Sequence, residues 1–146
     1  MSYWDTSCLV KLYTPENDSP TFANHLANHP SCVTADLTLL EFWATVRRKE
    51  AEGILAPGEA ATVQTALEAD ASAGAICILV IDQQVRDEYK VVVEKCLSQT
   101  PPIFIRTNDA QHIAAATCAG ETVIVATDKK LRDAALHLGF TVFPPP

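Results

Sequence analysis

The chain has 146 residues, 48 % of them apolar, which is enough to bury one core and too many for a disordered chain. Its formal net charge of −7 excludes a protein that coats nucleic acid by charge alone, though not an enzyme acting on it, because a carboxylate cluster filled by divalent cations turns locally positive. No apolar run reaches the ~20 residues a bilayer-spanning helix needs.

A single domain is expected over residues 1–146, without repeats or linkers. Tyr3-Trp4 begins a short strand that ends at Asp5. Leu9, Val10, Leu12 and Tyr13 then fit a short helix with Thr6 or Ser7 as its cap. Residues 21–28 form a second helix, Ser31 to Ala35 a strand, and Leu37 to Glu52 a long helix closed by Gly53. Asp36 is expected to cap that helix. Pro57 starts an alanine-rich helix running to about Ala73. Ile76 to Ile81 is continuously apolar, as a buried parallel strand requires. Asp82 ends it and caps the helix Val85 to Leu97, which Pro101-Pro102 stops. Asp109 to Ala119 is helical up to Gly120, Thr122 to Ala126 is a strand, and Asp128 to Leu138 is a helix ended by Gly139. Phe140 to Phe143 is the last strand, and the Pro144-Pro145-Pro146 tail frays.

Strands alternating with helices imply a three-layer α/β/α sandwich around a central, mostly parallel sheet. Such sheets bind ligands beyond the carboxyl ends of their strands. Asp5 and Asp128, distant in sequence, both fall at that edge. Capping and the helix dipole offer a bland account of each. Asp109 is more telling, because it shares a helical stripe with Ile113 and Ala116. An acid on an apolar stripe must be paired, metal-bound or protonated. Glu41 lies outside the apolar arc of Leu39, Leu40, Phe42, Trp43, Ala44 and Val46, near Thr45 and Arg48, and on pattern alone reads as a solvated glutamate. Clustered carboxylates repel one another, and a divalent cation relieves that repulsion. An all-oxygen set suits Mg²⁺ or Mn²⁺ over Zn²⁺.

The opening Met-Ser-Tyr-Trp-Asp lacks the basic start and apolar stretch of a signal peptide, so the expected compartment is the cytoplasm. Cys8, Cys32, Cys77, Cys96 and Cys118 form no Cys-x-x-Cys pair and sit mostly among apolar neighbours. Buried free thiols are expected, not a disulfide framework or a zinc site. Among basic residues, Lys129 and Lys130, next to Asp128, are the first candidates for phosphate contacts, ahead of Lys11, Arg47, Arg48, Lys49 and Arg106. His112 reads as a packed helix residue. Trp4, Phe42 and Trp43 read as core or dimer interface, not base-stacking platforms.

Four segments carry a resemblance. Asp5-Thr6-Ser7-Cys8-Leu9-Val10-Lys11-Leu12-Tyr13 resembles the opening motif of PIN-domain ribonucleases, and Thr38-Leu39-Leu40-Glu41 the helix with the family's second acid. Arg106-Thr107-Asn108-Asp109-Ala110-Gln111-His112-Ile113-Ala114-Ala115-Ala116 resembles the third motif, and Ala126-Thr127-Asp128-Lys129-Lys130-Leu131 the fourth. They stand in the family's order across almost the whole chain, and the size is similar to that of VapC-type toxins. Residues 54 to 100 match no motif. The resemblance implies a Mg²⁺- or Mn²⁺-dependent endoribonuclease with Asp5, Glu41, Asp109 and Asp128 as metal ligands. It implies that the Thr6 and Thr127 hydroxyls orient water or ligands. An RNA substrate cut to a 5′-phosphate and a 3′-hydroxyl, a cognate antitoxin, a homodimer and no membrane association complete the expectation. Two other readings compete: a non-catalytic RNA- or protein-binding module on this fold, and phosphotransfer through an aspartyl-phosphate at Asp5. The second of these wants an aspartate where this chain has Ser7.

Overall fold

The computed structural model describes residues 2–30 and 32–146. In chain order the elements are β1 (Ser2–Trp4), α1 (Thr6–Tyr13), α2 (Ser19–Asn28), β2 (Val33–Ala35), α3 (Leu37–Ala51) and α4 (Glu59–Ser72), then β3 (Cys77–Leu79), α5 (Gln83–Leu97), α6 (Thr107–Cys118), β4 (Val123–Val125), α7 (Lys129–His137) and β5 (Thr141–Phe143). The five strands form one parallel sheet in the order β3-β2-β1-β4-β5. The expected α/β/α sandwich is present. Ser31, where the second strand was expected to begin, lies outside the described residues.

The strands are three residues long, so each supplies only one or two side chains per face, and alternation sorts them. Tyr3, Val33, Ala35, Ile124 and Val142 pack with α5, α6 and α7 on one side. Trp4, Cys32 and Val125 pack with Phe42 and the other core side chains of α1 to α4 on the other. Tyr3 and Trp4, adjacent in sequence, are both fully buried in opposite cores. The chain runs outward from β1 through β2 to β3, then crosses back to β4 on the far side of β1. Right-handed crossovers in opposite directions place their helices on opposite faces. The carboxyl ends of β1 and β4 thus flank the point where the strand order reverses, the usual place for a ligand crevice in an open α/β sheet.

Several local expectations are corrected. The cap of α1 is Asp5, whose carboxylate accepts from the Ser7 amide, and not Thr6 or Ser7. Asp82 caps α5 as expected, by accepting from Val85. Asp36 stands at the head of α3 without capping it, because its carboxylate instead accepts from the Ile81 amide at 3.3 Å and ties β2 to the chain leaving β3. The helix expected from Pro57 begins at Glu59, after Gly58 turns the chain with φ +86°. β3 is an edge strand, not a buried one, which leaves Cys77 exposed. Cys8, Cys32 and Cys96 are buried, Cys118 is half-buried, and all five are free thiols. The prolines are tied back at Pro144, whose carbonyl accepts from Arg132 at 2.7 Å. Among the described residues no helix is long and apolar enough to cross a membrane.

Candidate active site

Asp5 follows the central strand directly. Its amide donates to the Val125 carbonyl at 2.9 Å, so β1–β4 pairing continues through the residue that carries the carboxylate. One oxygen, Oδ2, accepts from the amide and hydroxyl of Ser7 in the first turn of α1. That capping fixes the side chain and leaves Oδ1 facing the cleft, 3.6 Å from His112 Nε2. Asp5 is only 8 % exposed.

Glu41 comes from α3. The helix buries Thr38, Phe42 and Val46, a stripe of i, i+4 and i+8. Leu40 and Trp43, expected on the apolar face, are exposed, with Arg47 over the Trp43 ring. Trp4 and Phe42 are core, as expected. Glu41, Thr45 and Arg48 instead line a cleft of about 510 Å³. Three donors converge on the Glu41 carboxylate: Thr6 Oγ1 at 2.5 Å and His112 Nε2 at 2.9 Å on Oε2, and Asn108 Nδ2 at 2.6 Å on Oε1. His112 is buried on α6. Its Nδ1 lies 2.7 Å from Tyr3 Oη, which itself accepts from the Ala35 amide at 3.1 Å. The potential ligand atoms of Asp5, Glu41 and His112 all lie within 4.8 Å of one another.

Asp109 and Asp128 line the same cleft but form a second group. Asp109 is 6 % exposed in the first turn of α6. Asp128 caps α7, its Oδ1 accepting from the amides of Lys130 and Leu131 at 2.9 and 3.1 Å. Arg106 spans the two. Its Nε and Nη2 donate to Asp109 at 2.6 and 3.1 Å, and Nη2 also reaches Asp128 at 2.9 Å.

The charges follow from these partners. Burial pushes the Asp5 carboxyl above the ordinary range, with His112 and Ser7 opposing and the charge of Glu41 adding to the rise. Burial would raise Glu41 too, but donation from His112, Thr6 and Asn108 outweighs it and brings the pKa down to about 2. Burial would lower His112, yet Glu41 and Asp5 hold it above its usual value. Burial also works against the Asp128 carboxylate, and the Leu131 amide and Arg106 more than compensate, so its pKa is lowered.

All four acids singled out in the sequence therefore reach one cleft, in two groups. Thr6 holds Glu41, while the Thr127 hydroxyl lies 3.4 Å from Ser7 Oγ. Lys129 is turned away and pairs with Asp133. Lys11 and Lys49 pair with Glu16, and Arg47 with Glu50. The cations that line the cleft are Arg48 and Arg106. His112, read from the sequence as a packed helix residue, is buried as expected but also reaches Glu41, and Asn108, Ser7 and Thr45 were given no role at the site. The Asp109–His112 spacing of three residues, which places both side chains on one helical face, is the signal that marks His112.

The sequence matches the family model described as PIN domain over residues 2–136. Solved structures of similar fold include the following three. VapC20 of Mycobacterium tuberculosis, a Sarcin-Ricin loop cleaving toxin, aligns with a TM-score of 0.65 at 18 % identity over 92 % of this chain and 95 % of its own. VapBC2 from Rickettsia felis, bound to a DNA fragment from its promoter, gives 0.66 at 15 % identity over 97 % of each chain. A toxin-antitoxin complex from Klebsiella pneumoniae gives 0.65 at 12 % identity over 100 % of this chain and 98 % of that one. Among curated proteins the chain has no match.

Proposed function

This chain belongs to the PIN-domain family, and we propose that it is a Mg²⁺- or Mn²⁺-dependent endoribonuclease, the toxin of a toxin–antitoxin pair. The observation that carries the reading is the meeting of Asp5 and Glu41 with His112 within 4.8 Å at the carboxyl edge of the sheet. Asp109 and Asp128 stand in the same cleft. The similar fold of VapC20, a Sarcin-Ricin loop cleaving toxin, supports RNA as the substrate class. The toxin-antitoxin complex of the same fold supports a cognate antitoxin as partner. A homodimer belongs to the same proposal.

The donor set fits a hard divalent ion. Ionised Glu41 accepts from His112 Nε2, so that nitrogen carries a proton and offers no lone pair. The ligands are then carboxylate oxygens, Asp5 and Glu41 first, with Asp109 and Asp128 lining the same cleft. A bound ion would acidify water and stabilise charge on the phosphodiester. The chain's own side chains do the rest. Ser7 fixes Asp5, while Thr6, Asn108 and His112 fix Glu41, so neither carboxylate has to reorganise. Arg48 brings positive charge to a phosphate in a chain whose net charge is −7. In the reaction, a water oxygen bonds to phosphorus, the P–O3′ bond breaks, and the 3′-oxygen takes a proton.

The test is cleavage of total cellular RNA by the purified, antitoxin-free chain with Mg²⁺ or Mn²⁺, followed by mapping of the ends. Cleavage leaving 5′-phosphates, lost in Asp5→Asn with the fold retained, is the expected result. Intact RNA with the wild-type protein under all these conditions refutes the proposal.

A further inference from the structure

We propose that a hollow beside the acidic cleft is the pocket for one nucleobase of the RNA strand, with Tyr89 as its stacking wall and Arg86 and Lys90 holding the neighbouring phosphates. The proposal rests on the endoribonuclease reading above. It goes beyond it by giving α5, within the stretch of residues 54 to 100 that matches no motif, a part in recognising RNA.

Three observations carry it. First, the hollow is continuous with the cleft. Thr107, the first residue of α6, lines both. Asn108, Asp109 and His112 line the cleft, while Gln111, one turn after Thr107, lines the hollow. The two sites therefore lie on neighbouring faces of one helix about 10–12 Å across, and a strand whose phosphate sits at the acids brings a flanking nucleotide to the hollow. Second, the lining suits a base. Ile81, Val85 and Tyr89 wall a space of about 370 Å³, within the range of small-ligand sites. Tyr89 is half-buried, so packing already holds its ring. Its hydroxyl, the Gln111 side-chain amide and the Thr107 hydroxyl make no hydrogen bond among the described residues. An aromatic ring with uncommitted donors and acceptors beside it is the equipment that reads an unstacked base. Third, α5 sorts its charges. Arg86 and Lys90, four residues apart, line the hollow, and no carboxylate does. Among the described residues Arg86 makes no ion pair, and Lys90 meets only Asp87, in a pair of exposed side chains that competes weakly. The acids Asp87 and Glu88 line a separate hollow with Thr117 and Cys118. In a chain of net charge −7, two cations gathered beside an apolar, aromatic wall fit a polyanion that carries flat rings.

The experiment measures binding of short, mixed-sequence single-stranded RNA to the metal-stripped full chain by fluorescence anisotropy, so that affinity is read without cleavage. The same RNA carrying 4-thiouridine is crosslinked to wild type by ultraviolet light, and the joined peptides are identified by mass spectrometry. Crosslinks are expected on peptides holding Tyr89 or Gln111. Tyr89→Leu, which keeps an apolar wall, is expected to bind about tenfold more weakly, the scale of one lost stack, and Tyr89→Phe within about twofold of wild type. Arg86→Gln is expected to lower the slope of log Kd against log salt by about 0.7, the share of one single-strand phosphate. The wild-type crosslink decides the matter if Tyr89→Leu does not fold. Equal RNA affinity of wild type and Tyr89→Leu, or crosslinks confined to other peptides, overturns the pocket, and cleavage of the RNA on return of Mn²⁺ then leaves the nuclease reading standing. Weaker self-association of Tyr89→Leu in sedimentation, with RNA affinity unchanged, overturns it in favour of a protein-docking face. RNA neither bound nor cleaved by wild type overturns both readings.

Discussion

Removal of one oxygen atom at Tyr3 should be felt in both the stability and the chemistry of this protein. The phenol is fully buried, accepts from the Ala35 amide and meets His112 Nδ1. Tyr3→Phe keeps the ring and its packing but strips a partner from two groups that are themselves buried. Each such loss costs about 1–3 kcal/mol, and no longer desolvating the phenol returns about 1–2 kcal/mol. The net expectation is a loss of about 2 kcal/mol, against the few tenths typical of a surface hydroxyl. In urea, with a slope of about 1–3 kcal/mol/M, the midpoint should fall by about 1 M with the slope unchanged. Metal-stripped protein is the sample to use, so that bound ions do not add to stability. His112 would also lose its anchor, and its hold on Glu41 with it, so RNA cleavage should fall further than the folded fraction does. A midpoint shift under about 0.3 M, less than roughly 0.5 kcal/mol on that slope, would refute the chain of reasoning from Ala35 through Tyr3 to His112.

Other perturbations separate the core from the cleft. Phe42→Ala should cost about 3–5 kcal/mol, because the ring is fully buried and meets Tyr13 edge-on at 5.6 Å, and thermal unfolding measures it. The Glu41 carboxyl, held down to about 2, contributes stability that is complete above its unfolded value and drains as pH falls toward 2. The raised Asp5 opposes this in part. Urea midpoints of metal-free protein between pH 5 and 3 should therefore fall less steeply for Glu41→Gln than for wild type, and equal slopes would contradict the hydrogen-bond account. Arg48→Ala should weaken RNA binding and lower its salt dependence by about one ion, whereas Lys129→Ala, whose ammonium faces Asp133, should leave both unchanged. Filter binding at several salt concentrations distinguishes the two. Addition of EDTA to active protein should abolish cleavage, and Mn²⁺ should restore it.

Much of the architecture was legible in the sequence because alternating strand and helix signals restrict the topology to a parallel sheet, and such a sheet gathers residues at one edge. Asp5, Asp109 and Asp128 were visible for that reason, and Asp109 also because an acid on the stripe of Ile113 and Ala116 demands a partner. Glu41 was harder to place. A helical wheel reports hydrophobicity, and α3 carries exposed Leu40 and Trp43 that broaden its apolar arc beyond the stripe it buries. The polar side of the helix then reads as solvent-facing, although it walls a cleft. The basic residues show a related difficulty. Lys129 and Lys130 adjoin Asp128 in sequence, but Asp128 caps their helix, Lys129 pairs with Asp133 one turn on, and neither lysine lines the cleft, so adjacency in the chain is not adjacency in the cleft. Arg106 is there because the turn opening α6 folds it back over Asp109, three residues on. Asp36 was misassigned because capping is a local expectation, and the amide it accepts from belongs to Ile81, forty-five positions away.

The division of labour at β1 has a consequence for errors in assembly. Tyr3 fills one core, Trp4 fills the other, and the next residue carries the first carboxylate. A slip of β1 by one position against its neighbours would exchange the two aromatic rings between layers and carry Asp5 about 3.3 Å from Glu41. A misregistered sheet would thus lose both interiors and its acidic pair together. The sheet in effect proofreads the cleft: the packing that seats Tyr3 and Trp4 also sets where Asp5 stands.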